Sequence, residues 1–98
     1  MAHLLIRKKN QKRQRHIEVG HLPLTIGRAP TNGLILPGAD VSRSHCVIEP
    51  TGAGVKILDV GSRHGLRVNH ELQTETYLRH GDRIQVGTYE LVYPILEH

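Results

Sequence analysis

Short apolar runs recur along the chain, and turn-forming residues bound nearly every one of them. Several of these runs alternate apolar and polar residues with a period of two, which is typical of a strand with one buried face. The candidate strands are Leu4–Ile6, His16–Val19, Pro23–Ile26, Leu34–Leu36, His45–Glu49, Val55–Val60, Leu66–Val68, Glu75–Leu78, Arg83–Val86 and Glu90–Ile95. No stretch keeps apolar residues at helical spacing over three turns. The pattern therefore predicts an all-β sandwich or barrel.

The length and composition fit one compact domain with an aliphatic core. Ninety-eight residues suit a single domain, and 28 of them are Leu, Ile or Val. The sequence has no Phe and no Trp, so flat platforms for stacking nucleic-acid bases are scarce. We expect residues 1–95 to form the domain. The last three residues, 96–98, are interpreted as the remnant of a cloning-derived histidine tag.

The positive charge is concentrated at one end of the chain. The net charge is +4, yet residues 1–16 hold six basic residues and no acidic one, while the rest hold seven basic and nine acidic residues. We expect the basic run at 7–15 to be a solvated connection between the first two strands, outside the ligand site. The alternative is a patch that binds a nucleic-acid backbone or an acidic partner.

Cysteine usage and hydropathy bear on the compartment. The single cysteine, Cys46, cannot form an intrachain disulfide and lies in an apolar segment, so it is predicted to be a buried structural thiol. No apolar run is long enough for a membrane span, and residues 1–16 do not have the pattern of a signal peptide. These features favour a cytoplasmic protein with no membrane partner.

The residues usual in enzymes are present but are not arranged for catalysis. Asp40, Ser42 and His45 resemble a triad, but on an extended chain Ser42 and His45 would point to opposite faces. The eight histidines include no His-x-His or His-Glu-x-x-His pattern, and no phosphate-binding Gly-x-x-x-x-Gly-Lys loop occurs. We therefore predict no catalytic residue, no metal and no cofactor.

Three connections between candidate strands concentrate guanidinium and hydroxyl groups. The residues concerned are Arg28, Ser42, Arg43, Ser44, Ser62 and Arg63. The loops of a sandwich cluster at the two ends of its sheets, so these separate segments can converge. A phosphate is bound by bidentate guanidinium groups, hydroxyl donors and backbone N–H groups, and this set supplies all three.

Four motifs in order resemble the forkhead-associated (FHA) domain. They are Leu-x-Ile-Gly-Arg at 24–28, Val-Ser-Arg-Ser-His at 41–45, Asp-Val-Gly-Ser-Arg-His-Gly-Leu-Arg-Val-Asn at 59–69, and Leu-x-x-Gly-Asp-x-Ile-x-Val-Gly at 78–87. The resemblance implies a sandwich of about eleven mainly antiparallel strands whose loops at one end bind phosphothreonine peptides without catalysis. The partner would be a phosphothreonine protein or peptide, the substrate of a Ser/Thr kinase.

The resemblance also assigns site residues. Those implied to bind the phosphopeptide are Arg28, Ser42, Arg43, Arg63 and His64. Those implied to support the loops are Gly27, His45, Ser62, Gly65 and Asn69. Gly65 suits a turn with positive φ, and Gly27 would let the chain bend before Arg28.

One position departs from the family pattern. His64 stands where the family usually has an asparagine that pairs with the peptide backbone, and an imidazole offers fewer hydrogen-bonding sites than an amide. A phosphate-independent FHA-type scaffold for docking or oligomerisation is therefore an alternative function. Nucleic-acid binding through the basic 7–15 segment is a further alternative.

Overall fold

The structure, a computed structural model, describes residues 2–96, and these residues form eleven strands and no helix. The strands are β1 (Ala2–Lys8), β2 (Gln14–Val19), β3 (Leu24–Gly27), β4 (Leu34–Ile35), β5 (Cys46–Thr51), β6 (Gly54–Asp59), β7 (Leu66–Val68), β8 (Glu71–Gln73), β9 (Glu75–Tyr77), β10 (Asp82–Val86) and β11 (Tyr89–Leu96). The described residues contain no helix with the length and apolarity that a membrane span requires. The predicted all-β class is confirmed.

The strands form two sheets. Sheet A has six strands in the order β2-β1-β11-β10-β7-β8, and sheet B has five in the order β4-β3-β5-β6-β9. The paired strands are antiparallel except β3 and β4, which run parallel with Ile26 opposite Leu34. Pairing β1 with β11 brings the two ends of the chain together in the middle of sheet A.

The core lies between the two sheets and is built from alternate residues of each strand. In β10, Ile84 and Val86 are buried while Arg83 and Gln85 are exposed, which is the alternation expected of a half-buried strand. Leu4 and Ile6 of β1 face the same core. Cys46 is 1% exposed and belongs to this cluster, so the prediction of a buried thiol is confirmed.

The sequence pattern located ten of the eleven strands, with one omission at β8. Glu71 and Leu72 are exposed and β8 lies at an edge of sheet A, so the segment lacks a buried apolar residue that would mark it. Of the predicted tag remnant at 96–98, Leu96 ends β11, and residues 97 and 98 lie outside the described residues.

Candidate functional site

One end of the sandwich, which we call the apical pole, carries the connections 28–33, 36–45 and 60–65. The connections meet there because strands β3 and β6 end, and strands β5 and β7 begin, at this same end of the sandwich. They surround an open groove of ≈ 490 Å³, the apical groove. Its polar lining comes from Arg28, Ser42, Arg43, Ser44, Arg63 and His64.

Arg28 follows the last residue of β3 and is held in place by the opposite connection. Its backbone N–H donates to the Ser42 carbonyl at 3.0 Å, and its side-chain Nε donates to the Val41 carbonyl at 3.1 Å. Because Nε is already bonded, the orientation of the guanidinium plane is set. The two terminal nitrogens then remain available for a bidentate contact with an anion.

Ser42 presents its hydroxyl in the groove between two segments of the chain. Its Oγ accepts a hydrogen bond from the backbone N–H of Arg63 at 2.9 Å. A serine hydroxyl has one donor and two acceptor sites, so the proton of Ser42 is still available to a ligand. The same bond ties the 60–65 connection to the 36–45 connection.

His45 lies fully buried beneath the groove and joins three segments. Its Nδ1 accepts from the backbone N–H of Ser42 at 3.1 Å, and its Nε2 lies 3.0 Å from the carbonyl of Gly65. Since Nδ1 accepts, Nε2 must carry the proton and donate to Gly65, which defines a neutral tautomer. The ring therefore holds the loops in place and is shielded from the groove.

This geometry corrects one expectation drawn from the sequence. The segment from Asp40 to His45 is a series of turns and not an extended strand, so the imidazole turns back toward Ser42. It contacts the backbone N–H of Ser42, whereas the hydroxyl of Ser42 contacts Arg63. A nucleophile–base pair needs a hydrogen bond between hydroxyl and imidazole, and this site has other bonds in its place.

Asp59 organises the 60–65 connection from its first residue. One carboxylate oxygen accepts from the N–H groups of Gly61 (2.9 Å) and Ser62 (2.7 Å), and the other accepts from the Ser62 hydroxyl at 2.8 Å. Partial burial opposes ionisation of Asp59. The hydrogen bonds from Ser62 and Gly61 outweigh this and lower the pKa of the carboxyl below its ordinary value.

Gly27 allows β3 to approach the 36–45 connection closely. A Cβ at this position would lie 2.3 Å from the Arg43 carbonyl oxygen and 2.9 Å from the Asn32 amide nitrogen. The reason for glycine here is thus space for the neighbouring backbone, and not a bend before Arg28. Asn32 itself donates to the carbonyls of Ala29 at 2.9 Å and Arg43 at 2.8 Å.

Gly65 and Asn69 lie at opposite ends of β7. Gly65 has φ of 86° and adjoins the apical groove, as its predicted turn requires. Asn69 has φ of 52°, donates to the Asp82 carboxylate and accepts from the Arg83 N–H. It therefore secures the turn before β10 at the other end of the molecule and is not brought to the apical groove.

The groove carries positive charge without a compensating carboxylate. Arg28, Arg43 and Arg63 line it, and among the described residues that do so none is acidic. Asn32 and Asp59, which fix the surrounding loops, were not singled out from the sequence. The Asp-x-Gly-Ser order at 59–62 is a signal for such an Asx turn. The Asn32-Gly33 pair likewise signals a turn, but nothing local indicates that Asn32 contacts Arg43.

Comparison with known proteins identifies the family. The sequence model of the FHA domain matches residues 24–87, which include all the groove residues described above. The chain belongs to the FHA-domain family. The fold agrees: an FHA domain solved in work on phosphothreonine-dependent FHA interactions superposes with a TM-score of 0.79, at 25% identity over 98% of this chain and 99% of that one.

Two curated relatives are regulatory proteins. The oxoglutarate dehydrogenase inhibitor of Corynebacterium jeikeium is 37% identical over 67 residues, 68% of this chain and 46% of that protein. The transcriptional regulatory protein EmbR of Mycobacterium tuberculosis is 38% identical over 71 residues, 71% of this chain and 18% of that protein.

EmbR is also similar in structure. Its complex with a low-affinity phosphopeptide superposes with a TM-score of 0.79 at 29% identity, over 99% of this chain and 26% of that chain. The present chain spans less than half the length of these two curated relatives.

Proposed function

We propose that this FHA domain is a non-catalytic module that binds phosphothreonine in a partner protein through the apical groove. The observation that carries the proposal is the convergence of Arg28, the Ser42 hydroxyl, Arg43 and Arg63 around a groove that no described carboxylate lines. A phosphothreonine carries about −1.5 to −2 charges at pH 7 together with three acceptor oxygens. The groove offers the donors and the charge that such a group needs.

The bonding already present assigns a role to each contact. Arg28, fixed through Nε, would grip two phosphate oxygens, and the free proton of Ser42 would be donated to one of them. Arg43 and Arg63 would add charge from either side of the groove. His64, exposed at the rim, would meet the peptide backbone where the family has an amide.

The biological setting is part of the same proposal. A Ser/Thr kinase would create the ligand and a phosphatase would remove it, so binding would report the phosphorylation state of the partner. The similarity to an enzyme inhibitor and a transcriptional regulator supports a signalling role, which the proposal places in the cytoplasm. A peptide crossing loop tips buries little area, so we expect a Kd on the order of micromolar.

The test is binding of a phosphothreonine peptide library to the wild-type chain, with affinities of the enriched peptides measured by calorimetry. Arg28→Ala should weaken binding by about 2–4 kcal/mol, or roughly 30-fold or more, because a charge-assisted bidentate contact is lost. Arg79→Ala, which removes an exposed arginine far from the groove, is the matched control and should bind like the wild type. Equal retention of phosphopeptides by wild type and Arg28→Ala would overturn the proposal.

His64 gives specific support to the second candidate, a phosphate-independent scaffold. In that case the wild type would bind the phosphorylated and unphosphorylated forms of a peptide equally well. The proposed function requires instead that removing the phosphate abolishes measurable binding.

A further inference from the structure

The basic connection between β1 and β2 lies beside the apical pole. The backbone N–H of Lys9 donates to the Thr88 carbonyl at 2.8 Å, and Lys8 pairs with Tyr89 across β1 and β11. Gly87 and Thr88 form the turn between β10 and β11, at the same end of sheet A as Gly65. Residues 7–9 do not line the apical groove, but they lie at the same end of the molecule.

Continuous concave surface links the two regions. The apical groove shares His64 with a second depression, which is also lined by Asp40, Arg67, Gln85 and Gly87. Gln85 and Gly87 in turn line a third depression of ≈ 320 Å³, together with Lys8 and Lys9. A polypeptide leaving the apical groove past His64 would run directly into this surface.

Cations dominate the second and third depressions. The Lys and Arg residues that line them form what we call the basic ledge: Arg7, Lys8, Lys9, Arg67 and Arg83. Two described carboxylates face the same surface: Glu90, which is engaged by both Arg7 and Arg83, and Asp40 beside Gly87. The ledge therefore keeps an excess of three positive charges.

Three members of the ledge, Lys8, Lys9 and Arg67, have no acidic partner among the described residues. Lys9 is exposed and forms no ion pair, and Arg67 is exposed and donates only to the His70 carbonyl at 3.3 Å. Lys9 and Arg67 are the cations best placed to receive an acidic group. Lys8 lies over the Tyr89 ring, 5.6 Å from its centroid, and is already partly engaged.

Strand spacing sets the reach that a ligand needs. From Gly65 to the hairpin, the surface crosses β7, β10, β11 and β1, which is about 14 Å at roughly 4.8 Å per strand pair. An extended peptide rises about 3.3 Å per residue, so about four residues cover this distance.

We propose that the basic ledge binds an acidic segment of the same phosphoprotein whose phosphothreonine occupies the apical groove, with carboxylates that begin about four residues from the phosphothreonine. This inference rests on the proposed function and adds a ligand class to it. A polypeptide fits better than a nucleic acid, because Asp40 and Glu90 would repel a continuous polyanion. The one tyrosine at the ledge, Tyr89, is buried and so offers no stacking surface.

The experiment compares three peptides by fluorescence anisotropy at about 50 and 300 mM salt. One has phosphothreonine with neutral flanks, and one has phosphothreonine with an Asp/Glu block at the fourth to seventh positions, tested on either side. The third is the acidic peptide without phosphate. The acidic phosphopeptide should bind about 3- to 10-fold more tightly than the neutral one at low salt, and the difference should shrink at high salt.

Two double variants locate the effect. Lys9→Gln/Arg67→Gln should remove most of the advantage of the acidic flank and leave the neutral phosphopeptide unaffected. Lys12→Gln/Arg13→Gln makes the same change in net charge at exposed hairpin residues that do not line the ledge, and it should keep the advantage.

The possible outcomes separate this inference from the proposed function. If the neutral phosphopeptide binds but the acidic flank adds nothing, the ledge proposal fails alone. Equal losses in the two double variants would also contradict it, since the effect would then come from net charge. Absence of binding by every phosphopeptide would contradict the proposed function. A DNA duplex is the last probe. If the wild type binds it, only Lys9→Gln/Arg67→Gln abolishes that binding, and the acidic flank has no effect, the ledge would be a nucleic-acid site instead.

Discussion

At the scale of single residues, the apical side chains divide by what their polar atoms already contact. His45 and Ser62 form hydrogen bonds that hold the loops in place. Arg28, Arg43 and the hydroxyl proton of Ser42 remain available to a ligand. From the sequence alone, only the family resemblance separates the loop-supporting residues from those available to a ligand. The bonds themselves join residues up to 21 positions apart, such as Ser42 and Arg63, and no local pattern specifies such pairs.

The same scale gives a prediction for Asp59. Its folded-state pKa is lowered, so its carboxylate contributes stability that is present above the unfolded-state pKa and is lost as the pH falls through the folded-state value. Asp59→Asn keeps the shape but does not titrate. The difference in unfolding free energy between wild type and Asp59→Asn should be largest near neutral pH and should shrink below about pH 4.

Urea unfolding from pH 7 to 2.5 measures this difference, and the contributions of groups away from Asp59 cancel between the two proteins. A constant difference over the whole range would show that ionisation of Asp59 does not stabilise the 60–65 connection.

At the scale of elements, the apolar pattern predicts strands that bury a face and misses those that do not. β10 shows clear alternation, while β8 has only exposed or half-exposed residues and owes its conformation to pairing with β7. The end of β3 depends on a close backbone contact, which the apolar pattern does not reveal. At Gly27 the strand passes so near the Arg43 carbonyl that a side chain has no room.

Gly27→Ala should therefore move β3 and the 36–45 connection apart. We expect a loss of about 3 kcal/mol in unfolding free energy, from overpacking against backbone, and a weaker phosphopeptide complex, because Arg28 and Ser42 are bonded across this contact. Gly20→Ala is the matched control, since a Cβ there meets no atom within 4 Å. Thermal unfolding measures the stability of both variants, and calorimetry measures their affinity for the phosphopeptide. Equal stability and equal affinity of the two variants would refute the steric explanation.

At the scale of the whole molecule, the family match covers residues 24–87, yet the sandwich extends beyond it. Strands β1, β2 and β11 lie wholly outside that range, and β1 and β11 are interior strands of sheet A. They supply core residues that include Leu4, Ile6 and Leu91. The motifs that identify the family therefore do not delimit the unit that folds.

Removing residues 1–20 should consequently prevent folding, even though every apical groove residue is retained. The deletion takes away Leu4, Ile6 and Val19, whose burial contributes about 6 kcal/mol in total, comparable with the whole stability of a domain of this size. The full chain should show one cooperative thermal transition and the shortened chain none. A cooperative transition in the shortened chain would mean that β11 can serve as an edge strand.

The buried thiol offers a way to observe motion beneath the groove. Burial, reinforced by the charge of Asp59, raises the pKa of Cys46 to about 12, so the native protein holds almost no reactive thiolate. Cys46 pairs with Ile26 on one side and Asp59 on the other, directly below the connections that carry Arg28 and Ser62. The rate at which an alkylating reagent modifies Cys46 therefore reports how often these strands open. A bound ligand that holds the loops together will lower this rate.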